Sequence, residues 1–365
     1  MQWFTIHNIE KTDTPALALY KERIRQNIHQ AISVIMNPDH LRPHVKTNKI
    51  AEVCRMMMDA GIRKFKCATI AEAEMLAMIE AKDVLLAYQP VGPKAKRLLQ
   101  LIQHYPATQF SCLVDNIDAA RKLSEIFSEA GVQVRVFIDL NTGMNRTGIR
   151  PSDANDFLDA LEGLPSLLVV GVHAYDGHLT EPDVTLRQQQ SDMAFAKVNA
   201  FLKYFEKRTA RPISIVAGGS ATFPTHIKRN VECSPGTFVF WDWGYKRVYP
   251  DEPFEFAALV LTRIVSIVSD TLITTDLGYK SVASENPLPR VYFLNAPEAK
   301  PLSQSEEHLS LQVPDSSCYK IGDVLYGVPV HICPTVALYD KALVIENNKV
   351  TDSWKVIARD RVITY

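Results

Sequence analysis

PHVKTNKIAEVCRMMMDAGIRKFKCATIAEAEMLAMIEAKDVLLAY runs from residue 43 to residue 88. Three short apolar or β-branched runs, PHVKT (43–47), KFKCAT (64–69) and DVLLAY (83–88), alternate in it with the amphipathic stretches Ile50–Gly61 and Ile70–Ala81. Strand, helix, strand at this spacing is the signature of βαβ units and a parallel sheet. The rhythm continues through QFSCLVD (109–115), VRVFIDL (134–140), LLVVGVHAY (167–175), ISIVAGG (213–219) and VECSPGTF (231–238). Between two of these runs, Asn116 and Gly131 bracket a helical stretch as N-cap and stop. Eight strands with intervening helices predict a closed (β/α)8 TIM-like barrel. An open doubly wound sheet is the alternative, although no GxGxxG follows the first strand.

After about Tyr245 the helices vanish. EFAALVLTRIVSIVS, VYFLN, LSLQV, VLYGVPVHICPTV and KALVIENNKVTDSWKVIA read as successive strands, so a C-terminal all-β domain follows the barrel. Asn347 and Asn348 in IENNKV suit a hairpin tip, because asparagine tolerates the positive φ such turns demand. The expected division is a barrel over 16–245 and a β domain over 246–365, joined by the strand-like residues 1–15.

With 365 residues, 47% of them hydrophobic, the chain is long enough for two domains and a sizeable core. Forty basic residues against 41 acidic ones leave no field to attract nucleic acid or an anionic membrane, so the partner expected is a small molecule. No signal peptide and no spanning run of apolar residues is evident, and the expected location is the cytoplasm. Six cysteines without a CxxC pair read as reduced thiols, five of them buried filler and the sixth Cys333.

In such barrels the chemistry lies at the carboxyl ends of the strands. The first run ends at Lys46. The fifth enters NTGMNRTG with Arg146, and the sixth ends at HAYDGH with Tyr175 and, two residues earlier, His173. The seventh and eighth end in GGSAT, with Gly218, Gly219, Ser220 and Thr222, and in SPGTF, with Gly236 and Thr237. Each of the last two serves equally as a plain strand-to-helix turn; at adjacent strand ends they favour a phosphate cup. A phosphate cup opposite an inward lysine points to pyridoxal 5′-phosphate, with Lys46 forming the Schiff base and desolvation making its amine nucleophilic. Lys49 reads as a solvated residue at the start of the following helix.

With these residues assembled, the chain resembles the fold-type III pyridoxal-phosphate enzymes, the alanine racemase-like group, and within it the D-threonine aldolase and D-serine dehydratase family. RPHVKTNK matches RPHxKTHK around the Schiff-base lysine, with Asn48 in place of a common histidine; IDLNTGMNRTG matches the loop whose arginine, here Arg146, bonds the cofactor's phenolic oxygen. GVHAYDGH resembles the strand whose tyrosine packs on the ring, which makes Tyr175 the candidate, an ordinary core aromatic being the alternative. His173 reads equally as a supporting group or a core histidine. Residues 305–308 (SEEH) and 331–340 (HICPTVALYD) resemble the family's C-terminal domain.

His331 and Cys333, one residue apart, share a face if the strand is extended, and imidazole plus thiolate suits zinc over magnesium or calcium. Core packing is the bland alternative for a bare HxC pair, and the PTVALYD context favours a metal site. The resemblance implies a divalent metal, manganese with aspartate at the second position in the aldolases and zinc with cysteine there in the dehydratases. It thus implies a lyase on D-3-hydroxy amino acids, of the aldolase type by the AYDGH and PTVALYD contexts, with D-serine dehydration as the alternative. A racemase, using Tyr279 or Tyr326 of a partner as second acid/base, is a third. A non-catalytic pyridoxal-phosphate-binding protein fits less well because those chains lack a β domain. A homodimer is implied by resemblance alone.

Overall fold

The computed structural model describes residues 2–209 and 212–365. Met1 of the expected β domain and residues 210–211 of the expected barrel lie outside the described residues. The chain divides into two compact units: Met1–Gln30, Thr47–Val53 and Thr237–Arg359 form one, and Ala31–Lys46, Cys54–Gly236 and Asp360–Tyr365 the other.

The second of these units carries a seven-stranded parallel sheet in sequence order: Lys64–Cys67, Asp83–Leu86, Gln109–Val114, Val134–Asp139, Leu167–Ala174, Ser214–Ala217 and Glu232–Cys233. The first expected strand is reduced to two isolated bridges. Leu41 pairs with Cys233 and His44 with Lys66, both in parallel, so this segment touches both edges of the sheet and completes the ring. Pro43, which lacks a backbone N–H, stands between the two bridges and interrupts a regular ladder. The helix read between Asn116 and Gly131 spans Ile117–Glu129, with the Asn116 side chain accepting from the N–H groups of Asp118 and Ala119 at 3.0 Å each, and Gly131 at φ +65°.

Alternate residues of each strand point inward. Leu85, Leu113, Phe137 and Val216 pack as an apolar plug, and Gly171 stands where a Cβ would lie 2.4 Å from the Phe137 ring. An ionic layer shares the interior: Arg42, fully buried, donates to Glu232 at 2.7 Å and to Asp83 at 2.6 Å, and Lys64 reaches Glu232 at 2.5 Å.

The other unit is built on a second sheet of nine strands. Its long central strand, Ala258–Ser269, pairs antiparallel with Ala16–Tyr20, Leu272–Thr275 and Val324–Pro329. Alternation along that strand feeds two cores: Leu259 and Leu261 join Phe4, Ile6, Tyr20 and Tyr326, while Val260 and Ile264 join Phe293, Leu309 and Leu325. Residues 2–15 are not a strand. They contain a 3-10 turn at Ile9–Lys11, and the strand that enters the sheet is Ala16–Tyr20. The hairpin tip reads as predicted, with Asn347 and Asn348 at φ +49° and +58° between Lys341–Glu346 and Lys349–Lys355. The last six residues belong to the barrel unit, where the backbone N–H of Thr364 donates to Glu74 at 3.1 Å.

Among the described residues no helix is long and apolar enough to cross a membrane. Cys54, Cys67, Cys112 and Cys233 are buried, but Cys318 is exposed, so one of the five expected filler thiols lies on the surface.

Candidate active site

At the carboxyl end of the barrel strands the interior turns polar. Lys66, the third residue of its strand, is buried, and its Nζ lies 2.5 Å from Ser234 Oγ, 3.4 Å from His173 Nε2 and 5.0 Å from the centre of the Tyr175 ring. His173 Nδ1 lies 2.7 Å from Asp139. With Nδ1–H donating to that carboxylate, Nε2 is the acceptor facing Lys66. Burial lowers the His173 pKa, and Lys66 lowers it further against the pull of Asp139. Burial pushes Asp139 up, yet the hydrogen bond and charge of His173, with bonds from Thr147 and Gln89, hold it below the usual carboxylate range. The Lys66 pKa falls to about 7, first through burial and next through the nearby Lys46 charge.

Lys46 was expected as a buried amine on a strand. It is exposed, because it lies beyond the last bridge, at His44, on the open rim of the ring. Its position alternates with Arg42 and His44, and its charge acts on Lys66 inside the barrel. The next residues fix the rim. Asn48 Oδ1 accepts from the N–H of Ile50 at 3.0 Å ahead of the helix Ala51–Asp59. Lys49 does not begin that helix: at φ +55° it occupies the turn, and its Nζ donates to the Ala358 carbonyl at 3.5 Å.

Arg146 sits on the loop after the fifth strand, closed by a Leu140–Ile149 bridge, with its guanidinium 5.4 Å from the Tyr175 ring centre. Gly148, at φ +94°, donates its N–H to Asp115 at 2.9 Å; a Cβ there would lie 2.8 Å from the Asn141 nitrogen. Tyr175 is the first residue past the sixth strand, its ring stacked near that of His173 at 6.2 Å.

The two glycine-rich turns are stitched together. The Gly236 N–H donates to Ser220 Oγ at 3.1 Å, Gly218 adopts φ +75°, and a Cβ on Gly219 would lie 3.0 Å from the Tyr175 ring. Thr222 supports the turn: its hydroxyl accepts from the Gly219 N–H at 3.0 Å and donates to Asp176 at 2.7 Å, which also bonds His226 at 2.8 Å. Lys46 and Arg146, with Lys66 partly charged near neutral pH, therefore converge where both nearby carboxylates are already committed to histidines. That excess of positive charge, beside close backbone, fits an anionic cofactor such as pyridoxal 5′-phosphate.

In the other unit, His331 and Cys333 are not on an extended strand. The strand stops at Pro329, His331 is the N-cap of the short helix Ile332–Val336, and Cys333 is in its first turn, where Pro334 is tolerated. His331 is nevertheless close enough for its charge to act on the Cys333 thiol. Burial raises the Cys333 pKa, but His331 and the Thr47 hydroxyl hold the thiol below its ordinary value. Thr47 and Thr237 hydroxyls lie 3.1 and 3.6 Å from its sulfur, so Thr237 meets the thiol. His331 Nδ1 bonds Glu285 at 2.5 Å, an orienting carboxylate of the kind that metal-bound histidines use. Among the described residues no group of three His, Cys, Asp or Glu side chains surrounds one point. The pair fits a borderline divalent ion that keeps open positions. Of the racemase candidates, Tyr326 is a core residue whose hydroxyl accepts from the Ile6 N–H at 3.3 Å, and Tyr279 is exposed.

Lys66, Asp139, Asp176, Thr47 and Glu285 are not singled out by the sequence, and Ser234 enters only as the first residue of the SPGTF turn. For Lys66 a signal existed: alternation in KFKC puts Lys64 and Lys66 on one face and Phe65 and Cys67 on the other.

A parallel β/α ring with a lysine and two stitched glycine-rich turns at its carboxyl end, followed by a sheet domain, is the architecture of the alanine racemase-like class of pyridoxal-phosphate proteins. The chain belongs to the alanine racemase N-terminal domain family, which residues 20–242 match; residues 257–345 match the putative serine dehydratase domain. It is 26% identical to a D-threonine aldolase of Arthrobacter sp over 96% of this chain and 94% of that one. It is also 26% identical to a 3-hydroxy-D-aspartate aldolase of Paracoccus denitrificans over 95% and 92%. The crystal structure of D-threonine aldolase from Filomicrobium marinum superposes with a TM-score of 0.89 at 26% identity, covering 98% of both chains.

Proposed function

We propose that the protein is a pyridoxal-phosphate- and metal-dependent lyase that cleaves D-3-hydroxy amino acids to glycine and an aldehyde. The observation that carries this is the Cys333 thiol, under the charge of His331 and 3.1 Å from the hydroxyl of Thr47, the residue that follows Lys46 in the chain. A racemase has no use for such a ligand pair.

Lys46 would hold the cofactor's aldehyde carbon, Arg146 its phenolic oxygen, and Tyr175 its ring. The turns at Gly218, Gly219, Ser220 and Gly236 would take the phosphate, with Thr222 bracing them and Thr237 aligning the Cys333 thiol. The cofactor supplies an electron sink for the bond broken at the amino-acid α-carbon. His331 and Cys333 would hold the divalent ion, zinc by the softness of the thiolate and manganese as the alternative, and the ion would polarise the substrate's β-hydroxyl. The cations Lys46 and Arg146 at the barrel end, joined by Lys66 when it is protonated, favour binding of an amino-acid carboxylate as well as the phosphate.

The second reading, D-serine dehydration to pyruvate and ammonia, is favoured by the cysteine at position 333 and by the serine dehydratase domain match over 257–345. The experiment is a product assay: protein loaded with pyridoxal phosphate and zinc or manganese is incubated with D-threonine and with D-serine. Glycine from D-threonine supports aldol cleavage. Pyruvate from D-serine with no glycine from D-threonine rejects it. The family resemblance alone implies a homodimer in solution, which sedimentation measures.

A further inference from the structure

Lys66 is 2% exposed, and among the described residues no carboxylate lies in ion-pair range of its Nζ. Leaving an ammonium so placed is costly, and a chain without use for it would carry an aliphatic residue there. Its neighbours are Ser234 Oγ, His173 Nε2 and the face of Tyr175, all groups that surround the expected cofactor. Ser234 lies two residues before Gly236 of the anion-binding turns and also donates to the Gly218 carbonyl at 3.1 Å. The amine is therefore held against those turns from below, and the line Asp139, His173, Lys66, Ser234 crosses the barrel from the fifth strand to the end of the eighth.

We propose that Lys66 is a second amine of the site, a positioning residue that hydrogen-bonds the bound pyridoxal ring and sets the ring's electronic state through its own protonation. This rests on Lys46 being the residue that carries the cofactor. A heteroaromatic nitrogen shut inside a protein needs a hydrogen-bond partner. Lys66 supplies one that changes character with pH: Lys46 and Arg146 disfavour its charge, Asp139 and Asp176 favour it, and with burial the balance point falls at about 7. Above that point it accepts a proton or a hydrogen bond; below it, it can only donate. Burial and Lys66 itself lower the His173 pKa, so the charge change belongs to the lysine.

The test is a pH titration of the visible absorption band of the pyridoxal-phosphate-loaded protein, using wild type, Lys66→Met and Lys66→Arg. The proposal expects a wild-type transition as Lys66 titrates, none in the methionine variant, and a band fixed in its acid form in the arginine variant. Borohydride labelling of Lys46 in the same samples checks the underlying assignment separately: no pyridoxyl group on wild-type Lys46 defeats the cofactor reading, whatever the titration does. An unchanged transition in Lys66→Met overturns the proposal. If that variant fails to fold or load, Ser234→Ala decides, since loss of the 2.5 Å contact must move the midpoint and an unmoved midpoint overturns it equally.

Discussion

The Thr47 hydroxyl lies 3.1 Å from the sulfur of Cys333. Since Thr47 is joined to Lys46 by a single peptide bond, the Cys333 thiol bonds the residue next to the lysine proposed to carry the cofactor. Replacing Cys333 by alanine removes the soft donor. Zinc retained after dialysis should then fall to background and lyase turnover by at least about a hundredfold, while the pyridoxyl label on Lys46 persists. Cys333→Asp should restore turnover better with manganese than with zinc, because a carboxylate is the harder ligand. Metal analysis of dialysed variants checks both, and an alanine variant that holds zinc as the wild type does contradicts the assignment.

Arg42 is fully buried between Glu232 and Asp83. Arg42→Ala leaves Asp83 without its cation and Glu232 with Lys64 alone, and a broken buried pair costs about 3–5 kcal/mol. The urea midpoint should fall accordingly. A loss under about 1 kcal/mol would mean water replaces the guanidinium.

Burial pushes the Asp176 carboxyl up, but the hydrogen bond and charge of His226 and the Thr222 hydroxyl hold its pKa below the ordinary value. A carboxylate depressed in the folded state stabilises above its unfolded pKa, and that contribution is lost as pH falls through the folded value. Asp176→Asn should therefore flatten the acid side of the stability profile. It should also weaken retention of pyridoxal phosphate about tenfold, or about 1.4 kcal/mol, by loosening the Gly219–Thr222 turn. Unchanged cofactor affinity would place the pair outside the support of that turn.

Lys66 gives the same slope in a higher pH window, but as a deficit at low pH and not as a gain at high pH. Its pKa is lowered from 10.5 to about 7, so the fold loses stability as pH falls from above 10.5 towards 7 and keeps that deficit below it. Lys66→Met removes the deficit. Thermal unfolding of the cofactor-free variant should show a gain on the order of 4 kcal/mol at or below neutral pH, shrinking as pH rises. A constant difference across that range would show that the amine is not desolvated.

Much of the barrel was legible because period-two runs and helical stretches alternate, and seven of the eight runs became ladder strands. The run at 43–47 was found by its neighbours, but its ladder was not predictable from composition: Pro43 breaks it into the Leu41 and His44 bridges. That interruption also puts Lys46 on the rim, where a strand reading placed it in the wall. The His331–Cys333 pairing was read from extended geometry, whereas Pro334, acceptable in a helix's first turn, was the local sign of the helix that carries it. Residues such as Glu285 and Asp176 act through tertiary neighbours 46 and 50 positions away, a separation that no local pattern encodes. Lys66 differs, since strand alternation in KFKC puts it on one face with Lys64, although alternation alone does not say which face is inward.

The central claim is that Lys46, and not the buried Lys66, carries the cofactor. Purified protein incubated with pyridoxal phosphate, reduced with borohydride and mapped by peptide mass spectrometry tests it directly. The predicted result is a pyridoxyl adduct confined to the peptide containing Lys46 and absent from Lys46→Ala. An adduct on Lys66, or no adduct on a protein that still turns over substrate, would contradict it.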